Sequence, residues 1–192
     1  MRKIIIGLTF LVSASFATTV AFNGLDVTLN SNGLKVGDNA PAFIATTIDF
    51  QDTVVGGKQD KLQVLAFVPS LDTNTCELET IAFNKKVEEM RHVQVTIISK
   101  DLPFAQKNFC GDHNIKNVQT VSDYKDANNA KRYGTTISAP AFLEGFFGRV
   151  VYIVDTKGKI AYVQVVKEIS DEPDYDAVLQ VLKKIDRHTK PQ

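Results

Sequence analysis

Two residues of this 192-residue chain stand out for their chemistry, Cys76 and Cys110. Cys76 ends the run Pro69-Ser70-Leu71-Asp72-Thr73-Asn74-Thr75-Cys76, which follows an apolar stretch, Leu62 to Val68. That stretch has the pattern of a strand buried on both faces, and Pro69 stops it. From about Thr75 onward Cys76, Thr80, Phe83, Val87 and Met90 recur at helical spacing, which places Cys76 in the first turn of a helix. There the free peptide N–H groups and the positive end of the helix dipole favour a thiolate, and can bring a cysteine pKa from about 8.5 into the range of roughly 3.5–7.5. Such a sulfur is nucleophilic at neutral pH. Thr73, three residues earlier, can set its hydroxyl beside the sulfur and bond both the thiolate and an incoming oxygen, or it can simply cap the helix.

By count alone, two cysteines in an exported chain suit a structural disulfide. Three features point the other way: the long separation of Cys76 from Cys110, a chain long enough to need no staple, and the helix-start position of Cys76. Without a Cys-x-x-Cys pair, oxidoreductase chemistry between neighbouring thiols is disfavoured. Both readings, structural and catalytic, stay open on the residues themselves.

The rest of the composition excludes several classes. Lys+Arg and Asp+Glu balance at 22 each, tryptophan is absent and the phenylalanines are scattered. Nothing therefore attracts nucleic acid. His92, His113 and His188 are too scattered for a metal site. The pairs Glu77/Glu79 and Glu88/Glu89 read as a solvated helix face, and Gly56-Gly57-Lys58 lacks the spacing of a phosphate loop. At the start, Arg2 and Lys3, the apolar run Ile4 to Val12 and Ser15-Phe16-Ala17 have the order of a secretory signal peptide over residues 1–17. The expectation is one domain, residues 18–192, exported to an oxidising compartment such as the periplasm and free of the membrane once the signal is cut.

The positioning elements follow from local pattern. Val20-Ala21-Phe22 and Val27-Thr28-Leu29 flank Asn23-Gly24 and predict an N-terminal β-hairpin. Ala42 to Thr47, Val54-Val55, Leu62 to Val68, Val93 to Ser99 and Val118 to Val121 read as strands. Val150 to Val154 and Ile160 to Val166 read as a hairpin around Thr156-Lys157-Gly158. Helices are expected from about Thr75, over Leu102 to about Cys110, over Asp126 to Tyr133, and after Pro173, which opens a last helix with Tyr175, Val178, Leu179, Leu182 and Ile185 facing inward. This order predicts an α/β protein: a central mixed sheet with helices on both faces, of thioredoxin-like type, with the N-terminal hairpin added.

The segment Val68 to Cys76 is similar to the Pro-x-x-x-Thr-x-x-Cys signature of peroxiredoxins, and its wording resembles the bacterial thiol peroxidase branch. Leu34 to Phe43, Ser99 to Gln106, Phe109-Cys110-Gly111, Asn117-Val118 and Arg149 to Asp155 are similar to that branch in the same order. The resemblance implies a homodimeric thiol peroxidase with no metal or organic cofactor. Cys76 would attack hydrogen peroxide or an organic hydroperoxide, and Cys110 would resolve the resulting sulfenic acid as an intramolecular disulfide. A thioredoxin-like dithiol would then reduce that disulfide. By position, Pro69 would shield the nucleophile, Thr73 orient the peroxide, and Arg149 stabilise both thiolate and departing oxygen. Phe43 and Phe142 would line an apolar pocket. Thr135 to Phe147 departs from the branch. The competing expectation is an exported thioredoxin-fold module whose disulfide is structural or signals redox state.

Overall fold

The computed structural model describes residues 17–126 and 130–189; the expected signal peptide falls almost wholly outside them. Ten strands and three helices follow one another: β1 Thr19–Phe22, β2 Leu25–Leu29, β3 Phe43–Thr47, β4 Asp52–Val55, β5 Leu62–Phe67, α1 Asn74–Lys86, β6 Val93–Ser99, α2 Pro103–Asp112, β7 Gln119–Ser122, β8 Ile137–Ala139, β9 Val150–Val154, β10 Ile160–Val165 and α3 Tyr175–Thr189. Seven strands make a mixed sheet in the order β10-β9-β5-β6-β7-β3-β4. Within it β5, β6 and β7 are parallel, and the flanking pairs are antiparallel.

The centre of this sheet explains its sequence. Every residue of β5 is buried, because both faces are covered. Val64 and Ala66 face one apolar cluster together with Cys76, Phe83 and Val87, while Leu65 and Phe67 face the other. Phe67 there meets Tyr133, Phe147 and Tyr152, with ring centroids 5.3, 5.7 and 6.2 Å away.

The expected α/β architecture, a central mixed sheet with helices packed on it, is present, and its two layers are not built alike. Apolar residues of α1, α2 and α3 all join the first cluster. Among the described residues, no α-helix contributes to the second, which is closed by β1, β2 and the segment around Tyr133 to Phe147 with its short 3₁₀ turns. The parallel crossovers account for this: the sheet runs in one direction from β5 to β6 to β7, so right-handed connections put α1 and α2 on the same side. The N-terminal hairpin covers the side left open. It turns at Asn23 and Gly24, with φ of 50° and 76°, as the Asn-Gly dipeptide predicts, and β2 pairs onward with β8.

The helix expected over Asp126 to Tyr133 lies partly outside the described residues, at 127–129. Among the described residues of that stretch there is a single 3₁₀ turn, Ala130–Tyr133. The last helix starts at Tyr175 rather than Pro173, because Asp174 caps it: its carboxylate accepts the Ala177 N–H at 2.9 Å.

At Gly56 the turn between β4 and β5 has φ +75°, and a Cβ there would lie 2.1 Å from Tyr133 Oη and 2.5 Å from the Pro41 carbonyl oxygen. Gly56→Ala is expected to destabilise the fold by about 2 kcal/mol or more through left-handed strain and this collision. Urea unfolding of the two proteins measures it.

Candidate active site

Cys76 lies where β5 ends and α1 begins. Thr73 is the residue before the helix, with φ −118° and ψ 141°, and Cys76 follows in the first turn, fully buried. The Thr73 hydroxyl does not cap α1; it donates to the Ser70 carbonyl at 2.9 Å. Its lone pairs are thus left to accept from a ligand. On the other side Thr80 Oγ1 donates to the Cys76 carbonyl at 2.8 Å, which ties down the same turn.

A cation meets this sulfur. Arg149, immediately before β9, is 1 % exposed, and its Nη2 donates to Cys76 Sγ at 3.5 Å. Its Nε donates to the Ile169 carbonyl at 2.9 Å and its Nη1 to Glu79 Oε2. Arg149 is therefore not a solvated strand-end residue; three partners hold its fork in one orientation. Burial alone would pull its pKa down, but Glu79 and Cys76 outweigh burial and hold it above its usual value.

Glu79 is the residue that the sequence reading missed. It was expected on a solvated helix face, yet it is completely buried. Glu79 lies three residues after Cys76, so helical periodicity puts both on one face; only its charge argued for solvent. Its Oε1 has no hydrogen-bond partner among the described residues. Burial accordingly outweighs the attraction of Arg149 and pushes its pKa up from 4.5 to about 7. Glu77, its expected companion, does reach the surface and sits 3.6 Å from His113.

Above Arg149 opens a cavity of about 360 Å³, lined mainly by apolar groups. Pro69, Thr73 and Arg149 line it, together with Phe22 of the hairpin, Ile137, Leu143, Phe146 and Ile169. The segment that departs from the peroxiredoxin pattern thus supplies three of these walls. Neither expected aromatic takes part. Phe43 is buried in the core, its ring 5.8 Å from that of Tyr133, because its position in β3 faces the sheet interior. Phe142 sits in a 3₁₀ turn and is 67 % exposed. Phe22 and Phe146 stand where those two were expected.

The loop after β10 locks the hairpin to this site. Glu168 accepts the N–H groups of Asn23 and Gly24 at 2.9 and 3.1 Å and the Ser170 hydroxyl at 2.6 Å, and these bonds, that of Ser170 foremost, hold its pKa down to about 2. Thr75 Oγ1 in turn donates to the Ser170 carbonyl at 2.9 Å.

Cys110 sits apart from this cavity. It is buried on α2 against β7, its sulfur 3.3 Å from Thr120 Oγ1, beside a separate cavity. Burial pushes its thiol pKa up, against a smaller lowering by Thr120. Both cysteines are free thiols. Among the described residues no group of three or more His, Cys, Asp or Glu converges as a metal site requires.

A buried thiol at a helix start, a guanidinium on its sulfur and an apolar approach suit the attack of sulfur on a neutral, partly apolar electrophile. The redoxin family model matches residues 35–179. The chain belongs to the redoxin family. Within that family it stands with the thiol peroxidases. It is 47% identical to a thiol peroxidase of Aquifex aeolicus over 88% of this chain and 99% of that one. It is 40% identical to a thiol peroxidase of Clostridium acetobutylicum, over 84% and 95%. A crystal structure of a peroxiredoxin-like protein from Aquifex aeolicus superposes with a TM-score of 0.85 at 46% identity, covering 90% of this chain and 99% of that one. A thiol peroxidase from Chromobacterium violaceum shares the fold at a TM-score of 0.79 and 17% identity, over 89% and 98%. This redoxin is accordingly a thiol-dependent peroxidase with a thioredoxin-like fold.

Proposed function

We propose that this peroxidase reduces organic hydroperoxides as well as hydrogen peroxide, with Cys76 as the attacking thiolate and Cys110 as the resolving thiol. The cavity that ends on Arg149 carries the substrate reading. Its walls are almost entirely apolar, so an alkyl group of a hydroperoxide gains burial there that hydrogen peroxide cannot.

In the first step Cys76 Sγ⁻ attacks the outer oxygen of ROOH. The S–O bond forms as the O–O bond breaks, and RO⁻ leaves and takes up a proton as ROH. Cys76 is oxidised to a sulfenic acid and the peroxide is reduced by two electrons. Arg149 holds the thiolate and stabilises the charge that develops on the leaving oxygen, and Thr73 accepts the peroxide O–H. Pro69 covers the sulfur from the cavity side. In the second step Cys110 attacks the sulfenic sulfur, the disulfide forms and water leaves. The two sulfurs have different partners, Arg149 and Thr120, and both must release them for this step. An external thioredoxin-like dithiol completes the cycle.

The resemblance of residues 1–17 to a signal peptide supports export to a periplasm-like compartment. The exposed rings of Phe50 and Phe104, tilted against each other with centroids 4.6 Å apart, offer apolar surface that a homodimer would cover.

The test compares hydrogen peroxide with a bulky alkyl hydroperoxide, in wild type and in Cys110→Ser. The alkyl substrate is expected to show a KM at least about tenfold lower, since burying two methylene groups contributes roughly 1.6 kcal/mol. Cys110→Ser is expected to accumulate a trappable Cys76 sulfenic acid and to lose turnover with a dithiol. Equal KM values would exclude the cavity as an alkyl-binding site, and no turnover of the alkyl substrate would exclude the substrate reading. Full turnover in Cys110→Ser would leave its thiol to structure or signalling.

A further inference from the structure

The short link between β6 and α2 carries a carboxylate that the chemistry above does not use. Asp101 accepts three hydrogen bonds: from Ser70 Oγ at 2.7 Å on Oδ1, and from the Leu71 N–H and Ser99 Oγ, each at 2.7 Å, on Oδ2. Ser70 and Leu71 form the turn that leads into Thr73 and Cys76. Ser99 Oγ in turn accepts from Gln106 Nε2 at 3.0 Å. Gln106 is fully buried on α2, one helical turn before Cys110. An unbroken polar chain, Ser70 to Asp101 to Ser99 to Gln106, therefore joins the two cysteine-bearing segments.

The seat of α2 makes this chain matter. Of its ten residues, α2 buries three, Pro103, Gln106 and Cys110, so apolar packing holds it weakly. The strands beneath are polar at this end: Thr46 pairs with Ser122, and Ser122 with Ser99. Gln106 Oε1, Ser122 Oγ and Thr46 Oγ1 are buried without a hydrogen-bond partner among the described residues. Unmet groups of this kind raise the free energy of the seated state. Beyond its far end α2 is followed by a segment whose Lys116 and Asn117 N–H groups donate to Asn84 Oδ1 on α1, at 2.9 and 2.7 Å. A few directed bonds hold α2 in place: the exposed Lys107 Nζ reaches Asp49 Oδ1 at 3.1 Å, and inside, Gln106 is tied through Ser99 to the Asp101 carboxylate.

We propose that Asp101 is a positioning residue that couples the turn ahead of Cys76 to the seating of the Cys110 helix, and so sets the partition of oxidised Cys76 between disulfide and further oxidation. The proposal rests on Cys110 as the resolving thiol. With the latch closed, the Cys76 turn is ordered for attack and Cys110 stays buried. With it open, the turn loosens and α2 leaves its seat, which exposes the Cys110 thiol to the sulfenic acid. A sulfenic acid that waits longer meets a second ROOH, which adds an oxygen to give sulfinic acid and releases ROH.

The experiment mixes reduced full-length protein with excess hydrogen peroxide in a stopped-flow instrument and quantifies sulfenic acid, disulfide and sulfinic acid by mass spectrometry. Asp101→Asn keeps the shape but cannot accept on both sides. It is expected to form the disulfide about tenfold faster, the equivalent of about 1.4 kcal/mol, to slow the first oxidation of Cys76 and to lower the sulfinic acid yield. Ser70→Ala removes the Oδ1 link, together with the bond that Ser70 Oγ accepts from the Asp72 N–H at 3.2 Å, leaves both Oδ2 bonds, and is expected to shift the partition the same way by less. The double variant is expected to match Asp101→Asn, because both changes open one latch. A wild-type protein that forms no Cys76–Cys110 disulfide would overturn the resolving role and the latch together. A wild type that forms it, with the same partition in Asp101→Asn and Ser70→Ala, would overturn the latch alone.

Discussion

Cys76→Ser is expected to leave no measurable peroxide turnover, and Arg149→Met to slow the oxidation of Cys76 by about 10²–10³-fold with the thiol still present. The two variants separate the nucleophile from the cation. Arg149 is buried, so its charge reaches the sulfur with little screening, and its Nη2 is 3.5 Å from Sγ. Breaking the O–O bond moves negative charge onto the departing oxygen, and a fixed cation at that place lowers the barrier more than it stabilises the neutral peroxide. Arg149→Lys is expected to recover little. A single ammonium cannot serve Glu79, Cys76 and the Ile169 carbonyl at once. Stopped-flow rates of the reduced variants, read alongside the pH dependence of Cys76 alkylation, measure both contributions. An Arg149→Met protein that reacts with peroxide as fast as wild type would remove the arginine from the chemistry.

The second large effect is expected at Glu79. At pH 8, above its pKa of about 7, Glu79 is ionised, and Glu79→Ala removes one partner of a buried ion pair and leaves the Arg149 charge uncompensated, at a cost of about 3–5 kcal/mol. It also frees the guanidinium to swing from the sulfur, so activity falls with stability. Glu79→Gln preserves shape and an acceptor for Arg149 and is expected to cost far less.

The same residue gives stability a pH dependence. Its pKa rises from 4.5 to about 7 on folding, so between these values the folded protein holds a proton that the unfolded chain has lost. Its contribution is fully present below pH 4.5 and is lost as pH rises through about 7, by roughly 1–3 kcal/mol. Glu168 works in the opposite sense and in a different window: its pKa falls to about 2, so its contribution is present above 4.5 and is lost as pH drops toward 2. Urea unfolding at pH 5 and pH 8 should show wild type losing stability and Glu79→Gln losing much less. An equal loss in both would place the titrating group elsewhere.

How much of this was legible follows from the range of each signal. The Asn23-Gly24 turn, the buried strand before Pro69 and the helix that begins at Asn74 rest on contacts between near neighbours in the chain, and pattern reading finds them. The described end of the stretch expected as a helix, Ala130–Tyr133, is a 3₁₀ turn in which Tyr133 is fixed from outside: its hydroxyl donates to the Pro41 carbonyl at 2.6 Å, and its ring packs on Phe67. The cavity walls escaped prediction for the same reason. Phe43 and Phe142 are as apolar as Phe22 and Phe146, and only the register of β3 and the pairing of β2 with β8 decide which of them face the site.

The sequence by itself determined the family, the order of most elements and the place of Cys76 in the first turn of its helix, because each is carried by local spacing and by a run of matched residues. Tertiary structure alone decided what surrounds that sulfur. Glu79 is separated from Arg149 by 70 residues, and Asp101 from Ser70 by 31. Residue type then gives the wrong answer: a glutamate reads as solvated until the fold delivers an arginine, and burial set against that partner decides where it titrates.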